Sequence, residues 1–257
     1  VEDLVVKVLA VKKEPLFNVP TVIVTLLVVL AAIHGMREWL LTESQDLEFV
    51  YTFAFVPARY DSSIVLGGVI PGGFGAEIWS FVTYSLLHGS WTHFGFNAVW
   101  LLAFGSPVAR RFGTWRFLAF FAVTAAAGAL MHLVTNAGST APMIGASASI
   151  SGAMAAALRF VFQRGGPLGG GPLGVLGSND EEPYRVPALP LLGVLRDGRV
   201  LIFLAVWFGT NLLFGIGGSA FTGADEVVAW QAHIGGFIAG LLLFSWFDPK
   251  PDVARYQ

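Results

Sequence analysis

The stretch FLAFFAVTAAAGALMHLVTNAGSTAPMIGASASISGAMAAAL, residues 117–158, runs for 42 residues without an Asp, Glu, Lys or Arg. A membrane-crossing helix takes ~20 mostly apolar residues. This stretch is twice that, and Thr135–Pro142 (TNAGSTAP) interrupts it with turn formers. It therefore reads as two spans joined by a turn. Upstream, Pro15–Met36 supplies another uncharged span, and Ile78–Ala109 holds one span plus a lead-in. Downstream, Val200–Ala224 and Val227–Phe247 supply one each. The expected spans are approximately 17–36, 88–109, 115–134, 143–162, 200–217 and 227–247, six in one membrane domain covering 1–257. Ser62–Ala76 is also uncharged, but it is short and rich in Gly and Pro, and reads as loop. The first span follows a polar lead and no small-x-small pattern follows it, so it reads as a retained span rather than a cleaved signal.

Composition agrees with a polytopic membrane protein. Charged residues make up 12% of the 257, about half the ~25% of soluble proteins. That is too few to cover a water-exposed surface, and the 55% hydrophobic content excludes disorder. A net charge of -2 leaves no basic excess for a nucleic-acid partner. With no cysteine there is no disulfide, thiolate metal site or thiol nucleophile. Five histidines and 31 glycines are conspicuous among so few charges.

Six spans place both termini on one side. The N-terminal segment, the region joining spans 2 and 3 (Arg110, Arg111, Arg116), the region joining spans 4 and 5 (Arg159 to Arg199) and the C-terminal tail carry all the Lys and Arg except Arg37 and Arg59. The positive-inside rule then makes both termini cytoplasmic. The 37–78 loop becomes external, and its stretch Leu47–Tyr60 is amphipathic enough to lie on or in the membrane surface. The cytoplasmic loop opens with GGPLGGGPLG, the composition of a flexible linker. No internal repeat is visible, which disfavours an inverted-repeat transporter.

Polar side chains within lipid are costly and mark function. Counted from the external ends of spans 2, 4 and 6, His93, Asn97, Ser147 and His233 all lie roughly 5–10 Å deep at the ordinary helical rise. Three inward-running helices thus deliver Ser, two His and Asn to one layer. A serine becomes nucleophilic when a neighbouring base takes its proton, and histidine is such a base near neutral pH. His93 and Asn97 are four apart and share a helix face. With the Ser147 N–H, unpaired in the first turn of span 4, they form a set of donors for a developing oxyanion. No Asp or Glu lies within a span, so a Ser-His-Asp triad is not expected; Asp225 and Glu226 sit above His233 and read as solvated. Intramembrane Ser and Asn also serve as plain interhelical glue. On spacing alone, a hydrolytic site and a proton-coupled transporter both remain open.

At these residues the sequence resembles the rhomboid family of intramembrane serine proteases. His88-Gly-Ser-Trp-Thr-His93-Phe-Gly-Phe-Asn97 is similar to the family's H-x-x-x-x-H-x-x-x-N motif of the second span. Gly145-Ala146-Ser147 is similar to the G-x-S that opens the fourth, and Ala232-His233-Ile-Gly-Gly236-Phe-Ile-Ala-Gly240 to A-H-x-x-G-x-x-x-G in the sixth. Phe55–Tyr60 (FVPARY) and Gly105–Arg111 (GSPVARR) also look like bacterial members. The resemblance covers about residues 77–245 and implies a six-helix rhomboid-like bundle with a Ser-His dyad. Ser147 would be the nucleophile and His233 the general base. His93, Asn97 and the Ser147 N–H would stabilise the oxyanion, and His88 would lie near the active-site opening. Gly236 and Gly240 would let helix 6 pack closely on helix 4.

The implied activity is endopeptidase cleavage of transmembrane or membrane-proximal segments of membrane proteins, with the 37–78 loop flanking the substrate entrance. The implied partners are such a substrate and the bilayer, without metal or cofactor, in a bacterial inner (plasma) membrane. Neither the oligomeric state nor the physiological substrate is legible. Three departures stand out. Ala148 replaces the Gly that usually follows the nucleophile, where a methyl could crowd the oxyanion site. Ser151-Gly152 offers a second Ser-Gly pair. Ser80 replaces the Arg of a W-R motif after Trp79, removing its guanidinium contacts. A non-catalytic rhomboid-like binder of transmembrane segments and a proton-coupled transporter are the remaining alternatives.

Overall fold

The structure, a computed structural model, describes residues 18–61, 70–169, 182–222 and 228–249, with the backbone alone for 214–222. Asp225, Glu226, the expected start of span 6 at Val227, both chain ends and the second half of the Gly-rich linker lie outside the described residues. The described chain is helical and contains no strand, only an isolated antiparallel bridge between Phe55 and Met143.

The helices run in the order α1 (Thr21–Leu40), α2 (Glu43–Phe53), α3 (Gly73–Thr83), α4 (Trp91–Trp100), α5 (Ser106–Phe112), α6 (Thr114–Thr135), α7 (Ser147–Leu158), α8 (Leu191–Val194), α9 (Gly198–Thr222) and α10 (Trp230–Phe247). α1, α6 and α10 are long and apolar enough to cross a membrane, and α7 and the first part of α9 are shorter apolar helices. α4 and α5 are continuous through a π-helical segment, Leu101–Gly105. Its position has a local cause. Pro107 has no N–H to give the carbonyl four residues back, and its ring crowds that carbonyl, so the turn before it widens.

α7 is the centre of the bundle. Every residue from Ala148 to Leu158 is buried, although the helix is only 12 residues long. A helix apolar on all sides belongs inside a bundle rather than against lipid. Its Ala, Ser and Gly side chains let backbones approach, which is how membrane helices gain packing energy where lipid is as apolar as the protein. α10 packs on both α6 and α7. A Cβ at Gly235 would lie 2.6 Å from the Met131 Cβ and 2.7 Å from the Ala127 carbonyl oxygen of α6. A Cβ at Gly240 would fall on the backbone of Gly152 in α7.

The 37–78 region is built differently from the sequence expectation. α2 begins with a capping box in which Thr42 and Gln45 satisfy each other's backbone. Arg37 then clasps it, with Nε 2.7 Å from Asp46 Oδ1 and Nη1 donating to the His88 carbonyl at 2.7 Å. The second half of the amphipathic stretch does not lie on the membrane. Ala54, Phe55, Val56 and Ala58 have no exposure, because the Phe55–Met143 bridge threads this segment into the protein. The loop reading of Ser62–Ala76 also needs correction at its end, since α3 starts at Gly73.

Ser80 and Arg59 occupy separate places in this region. Ser80 is fully buried beside Tyr60, with 3.3 Å between hydroxyls, leaving no room for an arginine. Arg59 donates to the carbonyls of Tyr51 at 2.6 Å and Pro71 at 2.9 Å. Trp79 Nε1 donates to the Thr52 carbonyl at 3.0 Å. Burial pushes the Tyr60 hydroxyl pKa up, so it stays a donor to the Glu77 carbonyl at 2.8 Å.

The opposite end is closed by Arg111. It pairs with Asp248 at 2.6 and 2.8 Å and donates to the Tyr184 and Val186 carbonyls. Arg159 holds the Leu189 carbonyl at 2.6 Å. Between them they fasten residues 184–189 under α5, α7 and α10.

Candidate active site

His93, Asn97, Ser147 and His233 each sit in the first turn or two of their helices. Ser147 is the first residue of α7, so its N–H has no partner four residues back. The chain before it is extended rather than helical, contrary to a span starting near Met143. Met143 is pinned to Phe55, and the Gly145 N–H donates to the Tyr84 carbonyl at 3.0 Å. Gly145 has φ +118°, a conformation that favours glycine. This kink delivers Ser147 abruptly to the head of a helix.

His233 comes from the first turn of α10, which begins at Trp230. Its Nε2 lies 2.7 Å from Ser147 Oγ, 86 residues away in sequence. The close approach of the two helices makes this distance possible. A Cβ at Gly236, one turn below His233, would fall on the Ala148 carbonyl oxygen. Ser151 is not placed to replace Ser147. Its hydroxyl donates to the Ser147 carbonyl at 2.8 Å and is used within its own helix.

His93 faces the same point from α4, where Ser90 caps its N–H at 3.1 Å. The Gly89 N–H approaches His93 Nδ1 at 3.5 Å, the polarity that leaves the ring proton on Nε2. A Cβ at Gly145 would lie 2.8 Å from that Nε2 and 3.7 Å from Ser147 Oγ. The absent side chain thus leaves a small space between Ser147 Oγ and the His93 ring. Asn97 is buried, and its Nδ2 donates to the His93 carbonyl at 3.2 Å, within α4.

His88 is fully enclosed rather than at an opening. Its ring lies edge-on to His93 at 5.1 Å and to Phe94 at 5.6 Å. His34 of α1 was not singled out by sequence, yet it is buried and edge-on to Trp91 at 4.6 Å. Neither His34 nor His88 has a hydrogen-bond partner on its ring among the described residues. His132 lies 3.2 Å from the Asn136 amide.

The Ala148 methyl packs away from the space beside Gly145. It belongs to a cluster with Phe55, Tyr84, Ala125, Ala129, Met143 and Ala232. A Cβ at Gly128 of α6 would lie 2.6 Å from it, so a glycine on the neighbouring helix makes room for the methyl. Sequence reasoning also passed over Asn211 of α9, whose Oδ1 lies 2.5 Å from His233 Nδ1. The signal was available: it is a lone amide within the fifth apolar stretch.

A half-buried serine–histidine pair at the helix heads of an all-α bundle defines a class: helical membrane proteins that hold a serine and a histidine within hydrogen-bond reach. The Rhomboid domain family model matches residues 75–248, and the chain belongs to the rhomboid family. It is similar to the rhomboid protease GlpG of Haemophilus influenzae, 28% identical over 177 residues, 68% of this chain and 72% of that protein. The chain is an integral membrane protein of the rhomboid protease family.

Proposed function

We propose that the chain is an intramembrane serine endopeptidase working through a Ser147–His233 dyad. The observation that carries this reading is the 2.7 Å approach of His233 Nε2 to Ser147 Oγ. In this reading Oγ attacks the scissile carbonyl while its proton passes to Nε2. The oxyanion forms in the space beside Gly145, facing the Ser147 N–H and His93 Nε2, with Asn97 supplying a further donor from the same helix face. His233 then gives the proton to the leaving amine, and water repeats the sequence to free the acyl-enzyme. Gly236 and Gly240 serve by letting α10 reach α7. His88 backs the His93 ring.

The substrate is a transmembrane or membrane-proximal segment of another membrane protein. A helix within lipid keeps its backbone bonds internal, so the segment must unwind to present a carbonyl, and small or helix-weakening residues are expected near the cut. Six spans, with both termini cytoplasmic in a bacterial inner membrane, place the site toward the external face. The charge distribution supports that orientation. Because the chain has no cysteine, single cysteines introduced at Asp61 and Gln257 report sidedness without background.

Labelling with a serine-directed fluorophosphonate, in wild type, Ser147→Ala, Ser151→Ala and His233→Ala, tests the assignment. Loss in Ser147→Ala and His233→Ala, with Ser151→Ala still labelled, is expected. Loss only in Ser151→Ala moves the nucleophile. A folded wild type that neither labels nor cleaves a model transmembrane substrate defeats the protease reading and favours a binder or transporter.

A further inference from the structure

An imidazole can take the serine proton only if the nitrogen facing the serine carries a lone pair. For His233 that nitrogen is Nε2, so the ring proton must reside on Nδ1. Whatever touches Nδ1 decides the matter, and it is Asn211 of α9, with Oδ1 at 2.5 Å. An amide can be turned end for end, and then its NH₂ would favour the wrong tautomer. Here its orientation is fixed independently. Asn211 Nδ2 donates at 2.8 Å to the Trp207 carbonyl, which can only accept. The oxygen must therefore face the imidazole, and an amide oxygen only accepts. Nδ1 is the donor, and Nε2 is free for Ser147. The register between the two helices is held one turn away, where the Trp207 and Phe237 rings stack at 4.7 Å.

We propose that Asn211 is a positioning residue that sets the tautomer and ring plane of His233, making a three-membered relay Ser147–His233–Asn211. This rests on the serine-protease reading above. During attack the proton leaves Ser147 Oγ for His233 Nε2, while the Nδ1 proton stays in its hydrogen bond to Asn211. When Nε2 protonates the leaving amine, the ring returns to its starting tautomer with Nδ1 never released. A neutral amide fills the place that a carboxylate holds in the Ser-His-Asp arrangement, as it does in Cys-His-Asn proteases. In a membrane interior this avoids burying an anion. The alternative is that Asn211 merely joins α9 to α10, as intramembrane amides often do.

The two are separated by comparing Asn211→Leu, which cannot accept a hydrogen bond, with Asn211→Asp, which can. With a model transmembrane substrate, Asn211→Leu is expected to lower kcat about 100-fold with KM within about twofold, the scale of a misplaced general base. Asn211→Asp is expected to recover at least about tenfold of that loss, since it restores an acceptor at Nδ1. Nitrogen NMR of ring-labelled histidine in Ser147→Ala protein, which needs no turnover, is expected to show His233 protonated at Nδ1. Adding Asn211→Leu should mix the tautomers. Unchanged kcat in Asn211→Leu, equal loss in Leu and Asp variants, or an Nε2-protonated His233 each overturns the proposal. Ser147→Ala, run in the same cleavage assay, is inert if the serine reading holds; residual cleavage there defeats that reading while leaving the tautomer measurement to judge Asn211.

Discussion

Gly236 of α10 lies against the peptide of Ala148, the residue after Ser147, so closely that no side chain fits between them. The obstacle is backbone at the head of α7 rather than a flexible side chain that could swing away. Gly236→Ala must therefore push α10 off α7, with an overpacking cost of about 1–3 kcal/mol. The variant is expected to unfold at lower temperature in detergent than wild type and to lose fluorophosphonate labelling, because the same displacement separates His233 from Ser147.

Gly145→Ala tests the space between His93 and Ser147. The methyl would sit 2.8 Å from His93 Nε2, and φ +118° strains any L-residue placed there. The bundle core is untouched, so the protein should remain folded by circular dichroism. Turnover is expected to fall at least about 100-fold, as when an oxyanion donor is lost.

His93→Ala removes the donor and leaves the Gly145 kink in place. A drop of about 100- to 1,000-fold in kcat is expected, with KM changed little, since the interaction is made in the transition state. Comparable kcat in wild type and variant would show that the imidazole does no such work.

Arg111→Ala separates stability from chemistry. Its guanidinium is held by Asp248 and two carbonyls at the end of the bundle remote from Ser147. Breaking a buried ion pair by removing one partner costs about 3–5 kcal/mol. The expected result is faster proteolysis of residues 184–189 and a lower unfolding temperature. The fraction that remains folded should keep wild-type kcat.

The apolar stretches were legible because lipid imposes one rule on every span, and α1, α4 to α7, α9 and α10 overlap those stretches, while α2 and α3 do not follow from them. Ser147, His93 and His233 were legible because a polar group at membrane depth is conspicuous on any sequence. What escaped was whatever depends on a partner far along the chain. Arg59 ties α2 to the segment before α3, and nothing near it in sequence announces the Tyr51 and Pro71 carbonyls. Gly128 reads as one more small residue until the Ala148 methyl is found opposite it. Asn211 carries the same depth signal as Asn97, but no nearby motif gave it company. The extended entry to α7 was missed because counting residues at helical rise presumes that the helix has already begun.

The widened turn at Leu101–Gly105 has a consequence for how the second long helix is phased. In a regular helix one added residue rotates everything beyond it by about 100°. A π turn absorbs such a residue in a single loop of the helix. The azimuth of His93, which faces Ser147 across Gly145, is thereby uncoupled from the azimuth of Arg111, aimed at Asp248. Removing one residue from this segment would scarcely alter the helix's length or hydropathy, yet it would turn one end away from its target. The two ends of the helix are indexed separately, and the wide turn is the joint between them.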